Sequence, residues 1–493
     1  MSPGLAISIL IIYFGILIVI SIVTSKGADV NTFFTANKSV PWYLVAFGMI
    51  GTSLSGVTFI SVPGAVLNNS FSYFQMVLGF TLGYLFIATV LMPLYYRLNL
   101  ISIYSYFEKR FGFWSYKTAS AFFILSRTLG SAVRLYIAAQ VLQIAIYDPL
   151  GVPFGVSVFI TIALIWVYTF KGGIKTIVVT DTLQTFFLIT AVALTILLIT
   201  KEMNLGLGEM IGRVTDSSYS KIFYFESGWS DAKNFFKLFF SGALIAIVMT
   251  GMDQDLMQKN LTCKNIGEAQ KNMLWFTVVL VFVNMMFLGL GALMYIYATE
   301  KGLSIPTKTD DFYPMMALQH FGNFELGSGG VIVAVTFLIG ITAATYASSD
   351  SALTALTTAF CVDFLNIEGK EEKQRRKLKN YTHIGFSFLF LVVILIFNAL
   401  NSTDVITATY KIASYTYGPL LGLFAYGIFT KKSVTDKLVP WICAAAPVLT
   451  FVIVLLTEKY TSYKFGFENL LLNGILVIIG LWFSGLFNTK ATA

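Results

Sequence analysis

"FGMIGTSLSGVTFISVPGAV", residues 47–66, has the hydropathy of a membrane-spanning helix and the composition of a broken one. One apolar run holds four Gly, three Ser, two Thr and a Pro. Gly and Pro are poor helix-interior residues, and Pro withholds a backbone donor. In hydrocarbon an interrupted helix is tolerable only where protein, water or a bound ion satisfies the freed carbonyls. A second run, "SGALIAIVMTGMDQD" (241–255), also holds two Gly and ends on Asp253 and Asp255. Interrupted spans at corresponding places in two halves of a chain point to a transporter built from inverted repeats, with its site near the bilayer midplane.

The rest of the chain supports a membrane setting. Of 493 residues, 56% are hydrophobic and only 12% charged, about half the charged share of a soluble domain. Thirteen apolar spans are expected near 5–23, 42–66, 72–96, 118–147, 154–170, 173–200, 236–254, 271–298, 328–364, 380–400, 403–427, 438–456 and 468–487, most of them long enough for ~30 Å of hydrocarbon. The first lacks a small-residue cleavage site and reads as a retained span. The interrupted runs are then spans 2 and 7, five apart. The sequence therefore predicts an all-α polytopic membrane protein with 13 transmembrane helices and a five-plus-five inverted-repeat core. Its parts would be an extra N-terminal span (1–30), a first repeat (40–200), a second, inverted repeat (233–430) and two C-terminal spans with a tail (431–493).

With the N-terminus outside, most of the 33 Lys and Arg fall on the cytoplasmic side, including "EGKEEKQRRKLK" (368–379) and "FEKRFGFWSYK" (107–117). The reverse orientation violates the positive-inside rule. An odd span count leaves the C-terminus cytoplasmic, and a bacterial inner membrane is the expected location. Three scattered cysteines and two distant histidines make neither a disulfide framework nor a metal cage. No catalytic constellation, nucleic-acid patch or obligate protein partner is expected; the expected partners are a small solute, a sodium ion and the bilayer.

Span 9 carries "TYASSDSALTALTTAF" (345–360), with seven Ser or Thr hydroxyls and Asp350 between Thr345 and Thr358. Carbonyls freed in span 2 and hydroxyls from span 9 would form a cage of mostly neutral oxygens. Hard cations take oxygen ligands, and so few carboxylates suit a monovalent ion, sodium. The other reading is that these hydroxyls bond back to carbonyls one turn earlier and only aid packing; it fits Thr354, Thr357 and Thr358 better. Intramembrane ionisable groups cost about 2.5–3.5 kcal/mol each on insertion scales and mark function or pairing. Asp181 and Asp350 are the alternatives for a cation-site carboxylate. Arg134 is the partner expected for an anionic solute, and structural ion pairing is the competing reading for all three.

Several stretches in shared order resemble the sodium:solute symporter family: "PLYYRLNLISIYSYFEKRFG" (93–112), "YTFKGGIKTIVVTDTLQ" (168–184), "MDQDLMQKNLTCKNIGEAQK" (252–271), "DDFYPMMALQHF" (310–321), "SSDSALTALTTAFCVDF" (348–364) and "SYTYGPLLGLFAYGIF" (414–429). The resemblance implies the leucine-transporter-like fold and a sodium site using the carbonyls of Gly51, Leu54 and Ala344 and the side chain of Ser348. Where the family places a second hydroxyl this chain has Ala347, and Ser349 offers one on the other side. Asp181 matches the carboxylate of a second sodium site found in some members. Implied substrate contacts are Ser53, Ser55, Thr58, Gln75, Arg134 and Phe240. An arginine at the position of Arg134 resembles the proline-type branch; the sialic acid branch places one a turn earlier, at Gly130.

The resemblance therefore implies sodium-coupled symport of a small organic solute, a carboxylated one first and a sugar second. The alternatives are a proton-coupled or uniport carrier and a non-transporting solute sensor. A membrane potential of 100 mV gives about 2.3 kcal/mol per charge moved inward. A monoanion carried with one sodium forfeits that term, so an anionic solute is expected to travel with a second cation at Asp181.

Overall fold

The computed structural model describes residues 3–170, 172–226, 228–323, 327–400, 405–461, 463 and 465–486, which form helices and connecting turns without a strand. Expected positions 401–404, and the C-terminal tail after 486, lie outside the described residues.

Two spans are bent at breaks of two residues. The first is α2 (Trp42–Ser53) followed by α3 (Gly56–Asn69), 59° apart. At the break Leu54 has φ −85° and ψ 75°, and Ser55 has φ −66° and ψ 170°. Neither is helical, so carbonyls at the end of α2 lose their intrahelical donors. The second is α8 (Phe235–Ala246), widened into a π turn over Ile247–Gly251, followed by α9 (Gln254–Asn260), 69° away. Asp253 starts α9 by accepting a hydrogen bond from the Asp255 amide at 2.8 Å. These breaks fall in the two runs that the Gly, Ser and Pro content singles out.

The remaining long helices are α1 (Pro3–Thr24), placed before the first break, and α4 (Tyr73–Phe86), α5 (Phe113–Leu142), α6 (Phe154–Thr169) and α7 (Ile174–Glu202) between the breaks. After the second come α10 (Ile266–Glu300), α11 (Gly327–Ala359), α12 (Glu372–Leu400), α13 (Val405–Thr416), α14 (Gly418–Phe429), α15 (Val439–Tyr460) and α16 (Asn469–Leu486). Nine helices among the described residues are long and apolar enough to cross a bilayer, and the two bent pairs make eleven. The expected spans 5 and 11 correspond to shorter helices: α6, with 16 residues, and α13 and α14, with 12 each.

Small residues let the broken helices approach their neighbours. A Cβ on Gly51 would lie 2.4 Å from Thr185 Oγ1 of α7, and one on Gly79 of α4 would lie 2.0 Å from the Phe239 carbonyl oxygen of α8. Hydroxyls of α7 then bond to α2: Thr182 Oγ1 donates to Leu44 O at 3.1 Å and Thr185 Oγ1 to Phe47 O at 2.8 Å. Close packing of small residues with interhelical hydrogen bonds is how helices associate where lipid removes the hydrophobic driving force. The outer surface is apolar: Ile11, Ile12 and Val23 of α1 and Phe388 of α12 are all exposed. A surface of that kind suits lipid and not water.

Gly79→Ala is therefore expected to lower the thermal unfolding midpoint in detergent, because a backbone oxygen must move. Gly289→Ala, with nothing within 4 Å of the added Cβ, should leave it unchanged or raise it, since Ala is favoured over Gly by about 1 kcal/mol in a helix.

Candidate functional site

The break in the first bent span faces α11. A Cβ on Gly56 would lie 2.7 Å from Thr345 Oγ1, and the Thr52 hydroxyl lies 3.4 Å from the Ala347 carbonyl. The backbone around Gly51 and Leu54 is thus brought beside the segment that holds Ala344, Ser348 and Ser349. Ser348 Oγ donates back to Thr345 O at 3.0 Å, while the buried Ser349 Oγ has no protein partner among the described residues. Further along, Thr357 and Thr358 donate to carbonyls one turn earlier, at 2.7 and 2.8 Å, as the packing reading expects; Thr354 Oγ1 is buried without a partner.

A cavity of about 460 Å³ starts at this break, at Thr52, Ser53, Leu54 and Ser55, and runs past Thr58 and Ser61 to exposed Asn69 and Ala232. It is therefore reached from the face bearing the long segment between α7 and α8. Its wall holds Tyr73, Phe80 and Tyr84 of α4 and Asn284 of α10. Ser61 Oγ and Asn284 Oδ1 are buried and have no hydrogen-bond partner among the described residues, so both oxygens are available to a solute.

Arg127 and Arg134 both line this cavity; seven residues apart on α5, they lie on one helix face. The Arg127 side chain is 4% exposed and pairs with Asp255, with Asp253 Oδ2 3.8 Å away. Asp255 also accepts from the Ser351 hydroxyl, and Asp253 from Tyr417. Arg127 is thus committed to α9. Arg134 is less buried and lies within electrostatic reach of Asp253 and Tyr417.

All seven residues of α9 are buried, and five of them are polar or charged. Gln254 Nε2 donates to Ile101 O at 2.7 Å, and Gln258 Nε2 donates to Phe34 O at 2.7 Å. Lys259, which the span boundaries put among the cytoplasmic basic residues, is instead fully buried: its Nζ donates to Asp181 Oδ2 and to Thr52 Oγ1. The Thr52 hydroxyl also lies 3.0 Å from Asp181 Oδ2. Asp181 does lie beside the break, but its cation among the described residues is a lysine ammonium.

The model of the "Sodium:solute symporter family" matches residues 33–436. The chain belongs to the sodium:solute symporter family. Two curated relatives are the "Sodium/sialic acid symporter NanT" of Aliivibrio fischeri, 23% identical over 92% of this chain and 87% of that protein, and the "Sodium/sialic acid symporter SiaT" of Proteus mirabilis, 23% identical over 92% and 89%. A third, "Sodium-coupled monocarboxylate transporter 2" of Bos taurus, is 25% identical over 85% of this chain and 67% of that protein. A solved structure of a Na+-coupled sialic acid symporter in a substrate-bound outward-open state has the same fold, with a TM-score of 0.81 at 20% identity over 98% of this chain and 97% of that one. The transporter Mhp1, of the nucleobase-cation-symport-1 family, gives a TM-score of 0.54 at 14% identity over 91% and 92%. The fold is that of an inverted-repeat secondary transporter.

Within this symporter the expected solute contacts divide. Ser53, Ser55, Thr58 and Arg134 line the cavity. Gln75 and Phe240 do not. The Gln75 amide donates to Ser72 O and Lys233 O at 3.2 and 3.0 Å and accepts from Tyr224 N at 3.0 Å, tying α4 to the outer segment. Phe240 is 54% exposed and packs edge-on against Phe239; α4 supplies the aromatic wall instead. Ser61 and Asn284 went unnoticed in the sequence. Asn284, an amide inside the apolar run "VVLVFVNMMF" (278–287), was the available signal. Lys259 had no such signal, because only the bend after α8 turns α9 inward.

Removing one member of a buried ion pair costs about 3–5 kcal/mol, whereas replacing both with apolar groups is often neutral. Lys259→Met is therefore expected to lower the unfolding midpoint in detergent sharply, and Lys259→Met with Asp181→Leu to recover most of the loss. Equal losses in the two variants would mean that the pair contributes through something other than charge compensation.

Proposed function

We propose that the protein is a secondary active transporter that couples the inward movement of sodium to that of a small carboxylated solute by alternating access. The observation that carries the reading is the cavity at the broken span. It is open to one face, within the usual ligand-pocket range of about 300–1,000 Å³, and lined by arginines of one helix face. Arg134 lines the cavity along the same helix face as Arg127, and a guanidinium there would clamp a carboxylate with two parallel hydrogen bonds. Ser53, Ser55, Thr58, Ser61 and Asn284 would take the remaining polar groups of the solute. The acidic solutes in the names of the relatives, sialic acid and monocarboxylates, agree with that choice over a neutral sugar.

Sodium would bind as cargo at the break, on the carbonyls of Gly51, Leu54 and Ala344 and the Ser348 side chain, with Ser349 as a further oxygen in place of the missing hydroxyl at Ala347. The repeats 40–200 and 233–430 would move against each other around this site. The N-terminus is assigned outside, the C-terminus to the cytoplasm, and the chain to a bacterial inner membrane. It acts as a carrier and not as an enzyme.

Proteoliposome uptake of N-acetylneuraminate, lactate, proline and glucose tests the reading. An inward sodium gradient should drive accumulation of a carboxylated member, and replacing sodium with choline should abolish it. Unchanged uptake in choline would overturn sodium coupling. Arg134→Ala should raise KM for that solute at least tenfold, since truncating one partner of a buried charge pair costs about 2–5 kcal/mol. Asn284→Leu should raise KM with little change in the unfolding midpoint, because its Oδ1 has no partner among the described residues and its Nδ2 bonds back to the Leu280 carbonyl one turn earlier.

A further inference from the structure

Away from the cavity and the break, a second hollow opens on the outer, apolar surface. It has a volume of about 380 Å³ and lies where α5, α12 and the π turn Phe360–Phe364 at the end of α11 meet. Its α5 wall runs from Ala121 through Leu125 to Leu129, which at a spacing of four share one helix face. Leu389 and Val393 of α12 stand opposite, and Phe360 and Phe364, stacked with ring centres 5.4 Å apart, form the end. Leu125 and Leu389 are 48% and 39% exposed, so the hollow is a groove open to the surrounding hydrocarbon.

One turn before Ala121 the same face of α5 carries Lys117. Its Nζ donates to the Asp363 carbonyl, lies 5.5 Å from the Phe364 ring centre and makes no ion pair among the described residues. The Asp363 carboxylate nearby is taken by the hydroxyls of Ser102, Tyr116 and Ser120. Trp114, three residues earlier, is exposed, and tryptophan is enriched at the level of the lipid headgroups. Lys117 therefore sits at the edge of the hydrocarbon. At 1.5 Å per residue, Ala121 to Leu129 lie about 6 to 18 Å beyond it, roughly one leaflet's half of a ~30 Å core. The helices α5 and α12 run the same way, since Gln140 near the end of one bonds to Asn398 near the end of the other at 3.1 Å. Stretches 107–117 and 368–379, at their starts, hold nine Lys and Arg against four Glu. Basic residues beside a span attract anionic lipid.

We propose that this groove binds an anionic phospholipid, with its phosphate on the Lys117 ammonium and one acyl chain laid between α5 and α12 against the Phe360–Phe364 ring pair. The phosphate takes ammonium hydrogens that the Asp363 carbonyl leaves over, so the lysine keeps its place on the rings. A zwitterionic lipid brings its own cation to a surface already rich in positive charge, which disfavours it. The leaflet involved is the one opposite the cavity mouth: α5, α6 and α7 alternate in direction, and α7 ends at the mouth. Lipid and solute therefore occupy separate sites.

Native mass spectrometry of the full chain, titrated in detergent with dioleoyl-phosphatidylglycerol or dioleoyl-phosphatidylcholine, tests the site. Phosphatidylglycerol should bind at least tenfold more tightly. Lys117→Gln should remove that preference, whereas Arg376→Gln, on the exposed start of α12, should keep it. Equal losses in the two variants would reduce the effect to diffuse surface charge and overturn the site. Val393→Trp, which fills the groove and leaves Lys117 intact, should weaken phosphatidylglycerol at least tenfold. In the unaltered protein, phosphatidylglycerol with a diazirine in its acyl chain should label residues within 121–129, 360–364 or 389–393 on irradiation, a readout that stands even if Lys117→Gln does not fold. Labelling confined to other spans, equal binding of the two lipids, or Val393→Trp without effect overturns the proposal.

Discussion

Burial of α9 is the constraint on which the interior depends. Bending the chain by 69° after Gly251 turns a short helix of mostly polar residues into the protein, where all seven are buried. Each buried polar group then needs a partner, because an unsatisfied one costs about 1–3 kcal/mol and a charged one more. The partners come from distant parts of the chain: Arg127 for Asp255, Asp181 for Lys259, the backbones at Ile101 and Phe34 for the two glutamines. These contacts tie the second bent span to α2, α5, α7 and α11, the same helices that shape the cavity and the proposed sodium site.

The two ion pairs differ in what they leave over. Arg127 faces two aspartates that have further donors, Ser351 and Tyr417, and Arg134 stands within electrostatic reach of one of them, Asp253. That half is balanced, two guanidiniums to two carboxylates. Lys259 faces Asp181, with Asp350 within electrostatic reach of both. Thr52, at the end of α2, is in contact with both α7 and α11.

Much of the fold was legible because membrane insertion leaves strong marks on sequence. Apolar runs of about 20 residues mark spans, and the Gly, Ser and Pro of 47–66 mark a helix that must break. Four of the expected contacts line the cavity: Ser53, Ser55 and Thr58, which the family resemblance implies, and Arg134, which its cost in hydrocarbon also marks. Phe240 and Gln75 were not legible. Rotation of α8 decides whether an aromatic faces lipid or cavity, and the partners of a glutamine at a helix end lie in a loop some 150 residues away.

Sequence alone determined that this chain is a polytopic membrane protein with two interrupted helices, since hydropathy, length and helix-breaking residues are local properties. The oxygens of 345–360 were visible as an excess, but which of them bond back to their own helix and which lack a partner among the described residues was not. Only the tertiary structure decided that Asp181 meets Lys259 while Asp350 retains an oxygen with no hydrogen-bond partner among the described residues. The physical reason is that charge compensation in a low-dielectric interior depends on three-dimensional distance, and residues 78 and 182 positions apart come together only when the bent helices pack.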